Sequence, residues 1–171
     1  MAATRAQKAR EKHYVKVARR RGCRAGLARI IIREARKRGV PISLAFALFE
    51  HEAAFRKVFG HDPTIYAGAG IVTRAKYMAY RAARRRSGNR MMQGVGEGQL
   101  TWWETQDLAD RMGGCHTAAA NVAVALLTLA ARIHEYGEAQ GVERYNGTGP
   151  AAVAYSRQVR AGAHVWHRLF T

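Results

Sequence analysis

Two carboxylates and an imidazole interrupt an apolar run at residues 47–55, "ALFEHEAAF". At helical spacing Leu44, Leu48, Glu52 and Phe55 fall at i, i+4, i+8 and i+11, so Glu52 shares a stripe with three large apolar side chains. Glu50 falls instead with Ser43, Ala47, Ala54 and Lys57, a more polar face. Removal from water penalises a carboxyl more in its charged form than in its neutral one, so an apolar pocket raises its pKa, to about 6 in known cases. A carboxyl so placed is a usable general acid near neutral pH. The same residues admit a second reading, in which Glu52 pairs with one of the 29 Lys and Arg at a helix end.

Other chemistries lack their residues. His51-Glu52 begins an H-E-x-x-H zinc pattern, but Phe55 stands where the second imidazole belongs. His164 and His167 lie three apart with no carboxylate or cysteine beside them and read as a surface pair. Cys23 and Cys115 carry neither ligand spacing nor an activating neighbour, there is no G-x-S-x-G, and the glycine loops do not match a phosphate-binding loop. Neither a metal nor a cofactor is expected.

The elements that must position Glu52 are mostly helices. Residues 4–38 lack proline and interleave Tyr14, Val15, Val17, Leu27, Ile30 and Ile31 with basic residues, which predicts one basic amphipathic helix or two broken near Arg21-Gly22. Gly39 is its expected stop, and Pro41 opens a helix over about 41–57 that carries Glu52. The stretch "GHDPTIYAGAGIVT" (60–73) reads as a loop with at most a short hairpin, and Thr73 caps a helix to about Arg86. A second glycine-rich loop spans 87–100, and Thr101-Trp102-Trp103-Glu104 matches a capping box. A helix then runs to Gly113-Gly114, and a long apolar one spans about 117–136, closed by Gly137. After "YNGTGP", Pro150 begins the last helix. The expected fold is mainly α, with glycine-rich loops or a small β-hairpin around a cleft. A basic helical extension, 1–40, precedes a domain over 41–171.

Three segments in this order resemble the soluble lytic transglycosylases and goose-type lysozymes of the lysozyme superfamily. "FEHEAAF" (49–55) is similar to their acid-bearing helix, "GVGEGQL" (94–100) to their G-x-x-Q segment, and "RYNGTGPAAVAYSRQV" (144–159) to their A-Y-N-x-G segment and the helix behind it. The resemblance covers about residues 41–165 and implies an α+β lysozyme-like fold that cleaves the β-1,4 bond between N-acetylmuramic acid and N-acetylglucosamine. It assigns the catalytic acid to Glu52, a sugar-facing glutamine to Gln99, and a tyrosine near the acid to Tyr145, with Asn146 beside it. Trp102 and Trp103 are candidates to stack on sugar rings, or else core and cap aromatics. Ala53 replaces the serine usual after the acid, and Glu97-Gly98 replaces the Leu-Met usual before the glutamine. A hydrolase needs a second carboxylate, for which Asp62, Glu97 and Asp107 are candidates; a transglycosylase uses the substrate's own N-acetyl and 6-hydroxyl groups.

Of the net +17, most sits at the front: residues 1–40 hold 14 Lys/Arg against 2 acidic residues. Such a field attracts an anionic wall polymer, a membrane surface or nucleic acid without choosing among them. No helix-turn-helix or zinc-finger pattern accompanies it, so the expected partners are peptidoglycan strands, with residues 1–40 holding anionic wall polymers or a membrane face, and no specific nucleic acid. A non-catalytic glycan-binding or structural relative and a basic nucleic-acid-binding module are the alternatives. No secretory signal is recognised. The expectation is a monomer made in the cytoplasm that reaches the wall through another factor or inside a phage particle, since basicity and size resemble bacteriophage murein enzymes.

Overall fold

The computed structural model describes residues 4–60 and 70–171. Among these residues it has seven helices: α1 (Arg5–Arg20), α2 (Ala25–Arg38), α3 (Ile42–Ala53), α4 (Arg74–Arg86), α5 (Trp103–Arg111), α6 (Ala118–Asn146) and α7 (Pro150–Phe170). The expected mainly-α class holds; most of the stretch where a short hairpin was expected, 61–69, lies outside the described residues, and among the described residues the isolated antiparallel pairings are Val58–Ile71, Phe59–Val95 and Val95–Leu100. No helix among the described residues is long and apolar enough to cross a membrane.

The chain divides into two compact units, Met1–Phe55 with Leu126–Thr171, and Arg56–Ala125. The boundary expected at residue 40 is absent, because α2 packs on α3 and α1 packs on both α2 and α7. Their apolar stripes supply the reason: Val15, Val17, Leu27, Ile31 and Ile32 are all buried in the first unit's core.

In that unit α1 and α2 part at Arg21-Gly22, and α1 opens on a capping box in which Thr4 and Gln7 satisfy each other's backbone N–H groups. Gly39 closes α2 at φ 68°, a left-handed conformation in which a Cβ is strained. The centre is the packing of α3 on α7, where Gly162 leaves room for Ala47, a Cβ there lying 3.3 Å from the alanine's own. Around it Phe46 meets Trp166 (centroids 5.0 Å apart) and Phe170 (5.3 Å), and Tyr14 of α1 covers Phe170 at 4.4 Å.

Helix α3 stops at Ala53, four residues short of expectation. Ala54 and Phe55 turn left-handed (φ 48° and 59°), and the Phe55 N–H reaches back to the Phe49 carbonyl at 3.1 Å. This is a Schellman closure without glycine. Burial of Phe55 against Trp166 (5.9 Å) and Phe46 (6.2 Å) offsets the backbone cost of about 1–2 kcal/mol per residue.

In the second unit Thr73 caps α4 as expected. The capping box at α5 does not form: the helix begins one residue later, with Trp102 at the cap, and Thr101 donates instead to the Gln99 carbonyl at 3.1 Å. Buried Gln106 takes the Gln93 and Leu100 carbonyls, each at 2.8 Å, and fixes the preceding loop. Helix α6 kinks at Gly137 (φ 77°, ψ 168°), where the sequence places its end, and resumes to Asn146.

The two helix-end glycines of α2 have opposite requirements. Gly39→Ala is expected to cost about 1–2 kcal/mol, whereas Gly26→Ala, with helical φ and open space around a Cβ, gains about 0.4–1 kcal/mol. Urea unfolding midpoints check both signs.

Candidate functional site

Glu50 and Glu52 leave the last turn of α3 on different faces, and their surroundings diverge accordingly. Arg21 donates to Glu50 Oε1 at 2.8 Å, Trp166 Nε1 donates to Oε2 at 2.7 Å, and the Arg21 guanidinium lies 5.0 Å from the Trp166 ring. The ion pair that one reading assigned to Glu52 is therefore made by Glu50. Among the described residues no cation pairs with Glu52.

Glu52 receives a neutral donor instead: the Tyr155 hydroxyl donates to its Oε1. Burial pushes the Glu52 carboxyl from 4.5 up to about 7, and the hydrogen bond from Tyr155 acts in the opposite, smaller sense. Tyr155 itself is held far above the usual phenol range by burial and by the nearby Glu52 charge, so it remains a donor at every physiological pH. The Tyr145 hydroxyl is raised well above its ordinary value by the same two causes, which puts it within the electrostatic reach of Glu52. His51 sets its ring edge-on to Tyr155 at 4.9 Å, and desolvation lowers its pKa, which keeps the imidazole largely uncharged at pH 7. The group at the centre is a carboxyl half protonated near neutrality, with one tyrosine to stabilise the anion left when its proton departs. That is what a general acid requires.

Tyr145 thus stands within the electrostatic reach of Glu52, and Asn146 follows as an exposed residue at the end of α6. The sequence does not single out Tyr155. The signal was the buried stripe Ala152, Tyr155, Val159 and Trp166 on α7, a helical periodicity that aims a tyrosine into the same core as Trp166.

The remaining candidates belong to the second unit. Gln99 is braced within its own loop, its Nε2 donating to the carbonyls of Gly96 (2.7 Å) and Val58 (3.0 Å), and it holds a positive φ of 45°. A Cβ on Gly94 would stand 2.5 Å from Gln99 Oε1, so that glycine is what lets the amide lie flat on the loop. Asn121 ties the other side, accepting from the Gly98 N–H and donating to the Val95 carbonyl, both at 2.8 Å. Glu97 is wholly buried in this loop. Trp102 and Trp103 are 63% and 37% exposed, so they are surface aromatics and not core. Asp107 is engaged by buried Arg84 and stands 3.7 Å from Arg85, the place of a structural counter-ion. Asp62 lies outside the described residues. Both cysteines are buried and neither is in a disulfide, and no group of three or more metal-ligating side chains occurs among the described residues.

Fold and site thus define a mainly helical protein with a half-buried, protonatable carboxyl held by tyrosine. Compared with family models, curated proteins and solved structures, the chain matches none.

The raised pKa makes stability pH-dependent. A Glu at 4.5 unfolded and about 7 folded stabilises most below pH 4.5, and that contribution is lost as pH rises through 7. Glu52→Gln is expected to gain on wild type by up to about 1.4 kcal/mol per pH unit across that window, measured by urea unfolding from pH 4 to 8. Tyr155→Phe removes the interaction that lowers the pKa and is expected to move the upper end of the window to higher pH.

Proposed function

We propose that this chain is a peptidoglycan-cleaving glycosidase of the lysozyme type, with Glu52 as the general acid. The observation that carries the reading is the Glu52 carboxyl, desolvated to a pKa of about 7, with Tyr155 donating to it and no cation paired with it among the described residues. It stands in the helix whose sequence, with the Gln99 and Tyr145 segments, resembles the lytic transglycosylases and goose-type lysozymes.

In this mechanism Glu52 gives its proton to the glycosidic oxygen as the C1–O bond breaks, and positive charge develops at the anomeric carbon. The Tyr155 hydroxyl then stabilises the new carboxylate. The N-acetyl carbonyl of the muramic residue assists at C1, its 6-hydroxyl attacks, and the carboxylate recovers the proton from that hydroxyl. Atoms balance with no added water, and the product is a 1,6-anhydro end. The engagement of Asp107 by Arg84 and the enclosure of Glu97 support this route over one that uses either as a nucleophile.

Digestion of purified peptidoglycan, with soluble fragments identified by mass spectrometry, tests the proposal. Wild type is expected to release anhydro-ended muropeptides, and Glu52→Gln to release them about 100-fold more slowly or worse. Activity is expected to fall above pH 7 as the acid ionises. Reducing ends would transfer the attack to water, and no release by the folded wild type from several wall types would overturn the enzyme reading.

A further inference from the structure

The exposed side of α1 carries cations at a regular interval. Lys8, Lys12, Lys16 and Arg20 follow at four-residue steps, roughly 6 Å apart along the axis. With Arg19, also of α1, and Arg29 of α2, they line an open groove of about 850 Å³. None of these six makes an ion pair among the described residues, whereas Glu11, the groove's one acid, is bound by Arg36 at 2.8 Å. The cations are therefore uncompensated and point at one concavity.

What the groove lacks narrows its partner. A helix that enters a membrane face needs exposed apolar side chains opposite its charges. Here Val15, Val17, Leu27, Ile31 and Ile32 are buried, and none of the large hydrophobics exposed among the described residues lies on α1 or α2. Single-stranded nucleic acid is held by aromatic platforms under its bases. Among the described residues no aromatic lines the groove, and Tyr14 is occupied against Phe170. The groove offers charge at a fixed repeat, which suits a linear polyanion with one charge per unit and no ring to stack. Six bonds of extended chain span roughly 7 Å, close to the step between cations.

We propose that the α1–α2 groove is a docking surface for a polyol-phosphate chain, the phosphodiester polymer of a bacterial wall, and that it holds the protein on its substrate. The choice of a wall polymer rests on the glycosidase reading; the complementarity to a phosphodiester chain does not.

The test is equilibrium binding of the full chain to purified poly(glycerol phosphate) at about 0.1 M salt. Lys8→Glu/Lys12→Glu/Lys16→Glu is compared with Arg86→Glu/Arg157→Glu/Arg168→Glu, which changes net charge equally outside the groove; circular dichroism verifies folding. The groove variant is expected to lose tenfold or more and to flatten the salt dependence, while the control changes less than threefold. Equal loss in both variants, or no loss in the first, overturns the proposal. So does tighter binding to oligothymidylate or to phosphatidylglycerol vesicles than to the polyol phosphate. Glu52→Gln is expected to bind as wild type does, so failure of catalysis and failure of docking are read separately.

Discussion

A single neutral hydrogen bond, from the Tyr155 hydroxyl to Glu52, joins the last turn of α3 to the second turn of α7, and the proposed acid role of Glu52 depends on that donor being neutral. A guanidinium in the same place would hold the carboxyl ionised and remove its use as an acid. A wholly apolar wall would leave the carboxylate unsupported once its proton departed. Tyrosine sits between these limits, giving directional support with little effect on the charge balance.

The arrangement is preserved by the way the chain disposes of its excess cations. Arg21, which leaves the end of α1 toward α3, is taken up by Glu50 and the Trp166 ring, two residues from the acid. In the second unit the buried Arg84 is matched by Asp107. Exposed cations without an ion pair among the described residues include Lys8, Lys12, Lys16, Arg19 and Arg20 along α1. A chain of net +17 thus keeps a carboxyl free of any positive partner among the described residues. The left-handed closure at Ala54-Phe55 contributes too, since it ends the helix one residue after Glu52 and buries Phe55 against Phe46 and Trp166.

Much of this was legible in the sequence, and for identifiable reasons. Helical periodicity separated Glu52 from Glu50, and Gly39, Thr73, Gly137 and Pro150 marked helix ends through backbone preferences that hold locally. The errors arose where tertiary packing overrode a local signal. Helix α3 ends at non-glycine left-handed residues because Phe55 gains burial against Trp166. The capping box at Thr101 yielded to a start one residue on, where Gln106 takes the loop carbonyls. The basic N-terminal segment was expected to stand outside the domain, since its charge concealed a buried apolar stripe. Tyr155 was missed because a tyrosine on a core stripe has no local mark that its hydroxyl meets a carboxylate from a distant helix.

The central claim is that Glu52 is a carboxyl poised near neutrality. Carbon-13 NMR titration of the side-chain carboxyls, with the Glu52 resonance assigned by its loss in Glu52→Gln, measures it directly. The expected midpoint is near 7. A midpoint at or below 4.5 would mean that the carboxyl is solvated or paired with a cation, and would contradict the assignment of Glu52 as the acid.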